Sequence, residues 1–115
     1  MAIPTYNFPN HVKGDTFIAR QISFSSVTHN APIDLTNAEI KIDFKENADS
    51  EPAYFWSTSD NSIIITDGPN GIVTMTAKVI DALASTYIYD IQVNNNGIIK
   101  TYFTGSMKII QDISY

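Results

Sequence analysis

Between Ala38 and Phe44 the chain alternates without a miss: Ala38, Ile40, Ile42 and Phe44 are apolar, and Glu39, Lys41 and Asp43 between them are charged. A strand sends successive side chains to opposite faces, so this run has one face in an apolar interior and the other in water. A chain built on such a strand needs partners for its two edges and a cover for its apolar face.

The remaining sequence supplies short strand-like runs with turn signals about every ten residues. Asp15 to Phe24 is rich in Thr, Phe and Ile with partial alternation, and Ser25 to Pro32 is a polar connection holding His29 and Asn30. Glu46 to Pro52 is a polar loop, Tyr54, Phe55 and Trp56 form a short aromatic strand, and Ser59 to Ser62 is a turn. Ile63, Ile64 and Ile65 are β-branched throughout, which suits a strand. The run Asp67-Gly68-Pro69-Asn70-Gly71 predicts a turn, with Ile72 to Ala77 returning as an antiparallel partner. Val79 to Ala84 is the one segment expected to be helical, for a turn or two. Thr86 to Val93 alternates again, with Tyr87, Tyr89, Ile91 and Val93 on one face. Asn96-Gly97 suits a type I′ hairpin. Ile98 to Phe103 follows, Gly105 is expected to break or bulge the run, and Met107 to Ile113 is the last strand. Seven to eight strands of this kind predict an all-β, antiparallel, Ig-like β-sandwich with one short helical turn.

Residues 1 to 14 follow neither period. Pro4 and Pro9 hold the chain extended, and Ile3, Tyr6, Phe8 and Val12 make it too apolar for a disordered tail. The expected organisation is an extended N-terminal arm over 1–14 and a sandwich over 15–115. Two destinations for the arm are open: its own domain, or a neighbouring subunit.

Composition narrows the function. The formal net charge is −5, and the seven Lys and Arg are scattered. A phosphate backbone or an anionic membrane would find no basic track, so neither nucleic acid nor membrane is expected as a partner. With no cysteine there is no thiolate nucleophile and no thiolate metal site. No run approaches the roughly 20 apolar residues of a membrane helix. No basic-then-apolar leader is visible, so a soluble chain without export signals of its own is expected. Charged residues are 17% of the chain, below the usual figure of about 25%, and a surface short of charge suits contact with other protein.

The order of motifs is similar to that of short phage and prophage virion proteins associated with tails, baseplates and fibres. The matching features begin with Gly14-Asp15-Thr16-Phe17 and the Asp34-Leu35-Thr36-X-Ala38-X-Ile40 stretch. They continue through an Ile-rich strand into Asp67-Gly68-Pro69-Asn70-Gly71-Ile72-Val73-Thr74, and then Thr86-Tyr87-Ile88-Tyr89-Asp90-Ile91-Gln92. Gly97 to Thr101, Gly105 and a final strand complete the pattern, over roughly residues 14 to 113. Where that family carries Pro-Ala-Gly before the Thr-Tyr, this chain has Ala82-Leu83-Ala84-Ser85, so a different turn is expected there. The resemblance implies a virion structural protein, assembled in the host cytoplasm, whose partners are other virion proteins, and which is present as a homo-oligomer or in many copies of a symmetric assembly.

No catalytic constellation is evident. His11 and His29 share no metal-ligand spacing, and each is expected to be an exposed loop residue. Glu39 and Asp43 flank Lys41 on a wet strand face, and Asp49 and Glu51 sit in a loop. Asp60 and Asp67 flank the Ile strand in turn positions, where Asp is common for reasons of backbone bonding. Asp90 is expected to face outward. No Gly-X-Ser-X-Gly elbow or phosphate-binding glycine loop occurs. The expectation is a non-enzyme without cofactor or metal. Tyr54, Phe55 and Trp56 are consecutive, so one strand face cannot bury all three. The candidate partner-binding residues are therefore the arm's Ile3, Tyr6 and Phe8 with Tyr54, Trp56 and Tyr102, since exposed aromatics anchor protein interfaces. The same residue types stack on sugars, which leaves a carbohydrate-binding module for host glycans as the alternative.

Overall fold

The computed structural model describes residues 5–26 and 31–111. The protein is all-β, built as sheets packed around one core. The strands are β1 (His11–Val12), β2 (Thr16–Phe17), β3 (Arg20–Ser23), β4 (Ser25–Ser26), β5 (Ala31–Pro32), β6 (Glu39–Lys45), β7 (Tyr54–Ser57), β8 (Ile63–Asp67), β9 (Ile72–Met75), β10 (Lys78–Val79), β11 (Ser85–Asn95) and β12 (Ile98–Ile110). A five-stranded sheet runs β1-β12-β11-β6-β7, and opposite it lies the three-stranded β3-β9-β8. Two-stranded pieces β10-β2 and β4-β5 complete the set.

The long hairpin β11–β12 sets the length of the molecule. Thirteen residues of β12, at about 3.3 Å each, span roughly 43 Å, close to the longest extent of 48 Å. Its turn is the two-residue Asn96-Gly97, with φ of 56° and 87°. Both values fall in the left-handed region that Asn and Gly tolerate and a type I′ turn requires. Gly105 does not interrupt β12, which pairs with β11 on both sides of it. The bulge comes earlier: Ile91 faces Phe103 and Gln92 faces Thr101, which leaves Tyr102 as the extra residue.

The alternating run from Glu39 keeps its promise. Ile40, Ile42 and Phe44 are fully buried, and β6 lies between β7 and β11 in register, Ile42 against Trp56 and Ile91, Phe44 against Tyr54 and Tyr89. Opposite the large sheet, β2 pairs with β10 and β3 with β9 in matching register: Phe17 opposes Lys78, and Arg20, three residues later, opposes Met75, three residues earlier. The inward positions nevertheless change phase. Phe17 is buried, Ile18 and Ala19 are both exposed, and burial resumes with Arg20, Ile22 and Phe24. That skip explains why alternation was only partial over Asp15 to Phe24.

No helix forms over Val79–Ala84. Ile80 N–H donates to Asp15 O (3.2 Å) and Ile80 O accepts from Gly14 N–H (2.8 Å), so its backbone is bonded across to the turn before β2 rather than along a helix. Lys13 and Asp81 pair at 2.7 Å beside it. The helical turns lie elsewhere, as single 3-10 turns at Thr58–Asp60 and Gly68–Asn70.

Trp56 has no exposed surface, and its indole N–H donates to Thr76 O at 2.9 Å, joining the edge of the large sheet to the end of β9. Replacing Trp56 by Phe keeps a ring but leaves that carbonyl without its partner. Urea unfolding should show a loss of about 1–3 kcal/mol, and the native tryptophan emission should be blue-shifted and insensitive to aqueous quenchers.

Candidate interaction surface

The described part of the arm packs on its own body. Tyr6 N–H donates to Thr104 O (2.9 Å), Phe8 N–H to Ser106 O (2.8 Å) and Lys13 N–H to Ile110 O (2.9 Å), so the arm runs parallel to β12 along its free edge. Asn7 Oδ1 accepts from both the N–H and the hydroxyl of Ser106. Gly105 is the contact that permits this. A Cβ at Gly105 would lie 1.8 Å from Tyr6 O, so only glycine admits the arm this close. Tyr6 O also accepts from the Tyr89 hydroxyl at 2.7 Å.

The candidate aromatics divide accordingly. Phe8 is buried, with its ring 5.1 Å from Tyr89 and 5.9 Å from Phe44. Tyr6 is 39% exposed and receives a hydrogen bond from the Arg20 guanidinium. Tyr54 and Trp56, expected on the surface, are both buried. They point inward from alternate positions of β7, and it is Phe55 between them that faces out, at 41% exposure. This corrects the expected exposure and removes both as surface anchors or sugar platforms. Tyr102, on the bulge, is half-buried, edge-on to Phe24 at 5.5 Å and capped by the Lys100 ammonium. Ile3 lies outside the described residues, as does His29.

The polar groups weighed for chemistry are committed to the framework. His11 Nε2 contacts Asp15 O at 2.9 Å. Asp60 accepts from Ser62 N–H at 3.0 Å and from the Ser62 hydroxyl, and these donors hold its carboxyl below the ordinary value. Asp34 is held low in the same way by Thr36. Asp67 accepts from the Asn70 amide at 2.8 Å. On the outer face of the large sheet Asp43 stands directly opposite Asp90, with Lys41 bonded to Asp43 at 3.1 Å. These line a shallow hollow of about 260 Å³ together with Lys45, Gln92 and Thr104. Among the described residues no group of three or more His, Asp or Glu could hold a metal ion.

Large apolar side chains also reach solvent. Ile98 and Ile99, at the tip of the long hairpin, are 73% and 65% exposed. Ile18, Val79 and Leu83 are exposed as well, Leu83 lying where β11 starts, its carbonyl accepting from the Tyr87 hydroxyl. Sequence reasoning missed Arg20, Asn7 and the hairpin isoleucines. The last had a visible signal, two consecutive isoleucines directly after a turn. Arg20 and Asn7 had none, because their partners are 14 and 99 residues away.

No family model matches the chain, and no curated protein sequence matches it. Among solved structures it is similar to a family 123 glycoside hydrolase from Clostridium perfringens, described for glycolipid glycan hydrolysis, at 17% identity and a TM-score of 0.38. The likeness covers 97% of this chain, which spans 24% of that protein's length, and at this level it carries no argument about activity.

Two predictions come from the arm and the core tyrosines. Gly105→Ala should displace the arm, cost about 1–3 kcal/mol in urea unfolding, and open residues 5–14 to limited proteolysis. Burial, reinforced by Tyr6, pushes the Tyr89 phenol up from 10.0 to about 12, against a smaller opposing pull from Arg20, and burial pushes Tyr54 further still. Between pH 10 and about 12 the unfolded chain therefore sheds phenolic protons that the folded chain retains, so stability should fall as pH rises through that window. Phenolate absorbance should show late-titrating tyrosines that become ordinary on unfolding.

Proposed function

We propose that this chain is a non-catalytic structural module of a bacteriophage particle, on a tail, baseplate or fibre, acting through contacts with other virion proteins. The observation that carries the reading is the contrast between its two kinds of surface group. Its carboxylates and hydroxyls in turns are occupied by framework bonds, as at Asp34, Asp60 and Asp67. Large apolar side chains stand in solvent: Ile98 and Ile99 at the hairpin tip, Leu83 just before β11, and Phe55, Ile64 and Ile88 within strands. Apolar groups so placed favour burial against protein. The motifs that resemble virion proteins fall on turns and core strands, which fits a shared framework and says nothing of shared catalysis. Repeated copies in a symmetric assembly follow from the same reading.

Cross-linking mass spectrometry on intact particles from the source tests this. The expected result is a stoichiometric component cross-linked to other virion proteins from Lys100, beside the hairpin isoleucines, and from Lys13 at the other end. Absence of the chain from any particle would overturn the reading, and specific glycan binding by the isolated chain would replace it with the carbohydrate-binding alternative.

A further inference from the structure

Arg20 is the one arginine of the sequence, and it is placed unlike the lysines that pair at the surface. Lys13 pairs with Asp81 and Lys41 with Asp43, whereas among the described residues no carboxylate pairs with Arg20. Its guanidinium lies over the rings of Tyr6 (4.8 Å) and Phe8 (5.1 Å) and donates to the Tyr6 hydroxyl. A guanidinium has five N–H donors in a planar fork that matches a carboxylate, so among the described residues most of that capacity is unused. It stands at the mouth of a cleft of about 250 Å³ between the two sheets, with Gln21, Ile22 and Ser23 on one wall and Ile91 and Phe103 on the other.

Among the described residues, the wall formed by β3 is a strand edge. Phe24 N–H donates to Gly71 O at 2.8 Å, in the same register that sets Ile22 against Val73 and Arg20 against Met75. Hydrogen-bonded pairs alternate along an antiparallel ladder. Phe24, Ile22 and Arg20 therefore bond toward β9, and Gln21 and Ser23 turn their backbone N–H and C=O groups away from it, into the cleft. Two residues apart, these groups repeat at about 6.6–6.8 Å, the repeat of an added strand.

We propose that this edge docks an extended segment of another protein that carries a carboxylate. The segment's backbone adds to β3 through Gln21 and Ser23, its carboxylate takes the open side of the Arg20 fork, and apolar residues two positions from the carboxylate, on the same strand face, enter the cleft against Ile22, Ile91 and Phe103. Addition to an open edge supplies affinity through main-chain bonds, and the charge supplies selectivity. In a chain of net charge −5, an acidic partner is held only where a cation is presented for it. This inference rests on the reading of the chain as a protein-binding module.

The test is an amide NMR titration of the intact chain with acetylated, amidated Val-Thr-Glu-Thr-Val and its Val-Thr-Gln-Thr-Val counterpart, in which the valines share the Glu or Gln face. The expected result is perturbation and slowed hydrogen exchange at the amides of Gln21 and Ser23. The Glu peptide should bind at least about tenfold more tightly, the preference lost in Arg20→Gln and partly kept in Arg20→Lys. An otherwise unchanged amide spectrum of the Arg20→Gln variant establishes that it is folded. Equal binding of the two peptides, perturbation centred on another strand, or no binding at millimolar peptide would each overturn the proposal. Those outcomes leave the virion reading standing if the chain cross-links within particles. Absence from particles removes that reading and leaves a carboxylate-dependent edge intact.

Discussion

Phe44 is the side chain around which the rest is arranged. Its ring stacks on Tyr54 at 4.6 Å and meets Tyr89 at 5.1 Å, Trp56 at 5.6 Å and Phe8 at 5.9 Å. Those four come from β7, β11 and the arm, so one buried ring ties β6 to both of its flanking strands and to the chain's N-terminal segment. Aromatic pairs in tilted and edge-on geometry add to the energy of simple burial. They also impose shape, because flat rings interlock in few ways. Trp56 passes the same order to the second sheet, through its contact with Phe17 at 4.9 Å and its bond to Thr76.

Much of this was legible in the residues. The β6 alternation, the tyrosine face of β11 and the Asn96-Gly97 turn are local patterns, and local patterns are what period and turn chemistry report. The helix expected at Val79–Ala84 failed because its apolar spacing is equally served by a strand end bonded to Gly14 and Asp15, a partner some 65 residues distant that no window contains. The three consecutive aromatics of β7 show the same limit in another form. Alternation requires one or two of them to face out, and the sequence does not say which phase is taken. The cross-strand register settles it, placing Trp56 against Ile42 and sending Phe55 outward. Gly105 is the opposite case, a residue whose presence was noticed and whose purpose, making room for Tyr6, depends on a contact 99 residues long.

The strand edges are treated unequally. On β7 the Lys78 ammonium donates to Phe55 O and lies over the Phe55 and Trp56 rings, so a cation occupies the backbone group that another strand would use. Charged side chains at an edge discourage unwanted pairing. On β12 the arm covers part of the edge from Tyr6 onward. Among the described residues the edge of β3 has neither protection at Gln21 and Ser23.

The shared change of phase at Ile18–Ala19 and Thr76–Ala77 couples the lengths of two segments that are distant in the chain. Both strands take a three-residue step between inward positions, Phe17 to Arg20 on one and Met75 to Lys78 on the other, while staying in register. A single residue lost from one strand alone would turn its half of the ladder inside out, carrying Phe17 or Ile80 from the core to water. Losing one residue from each would restore ordinary alternation. A change in the length of either segment is therefore tolerable only alongside a matching change in the other, a constraint on insertion and deletion that acts across nearly sixty residues of sequence.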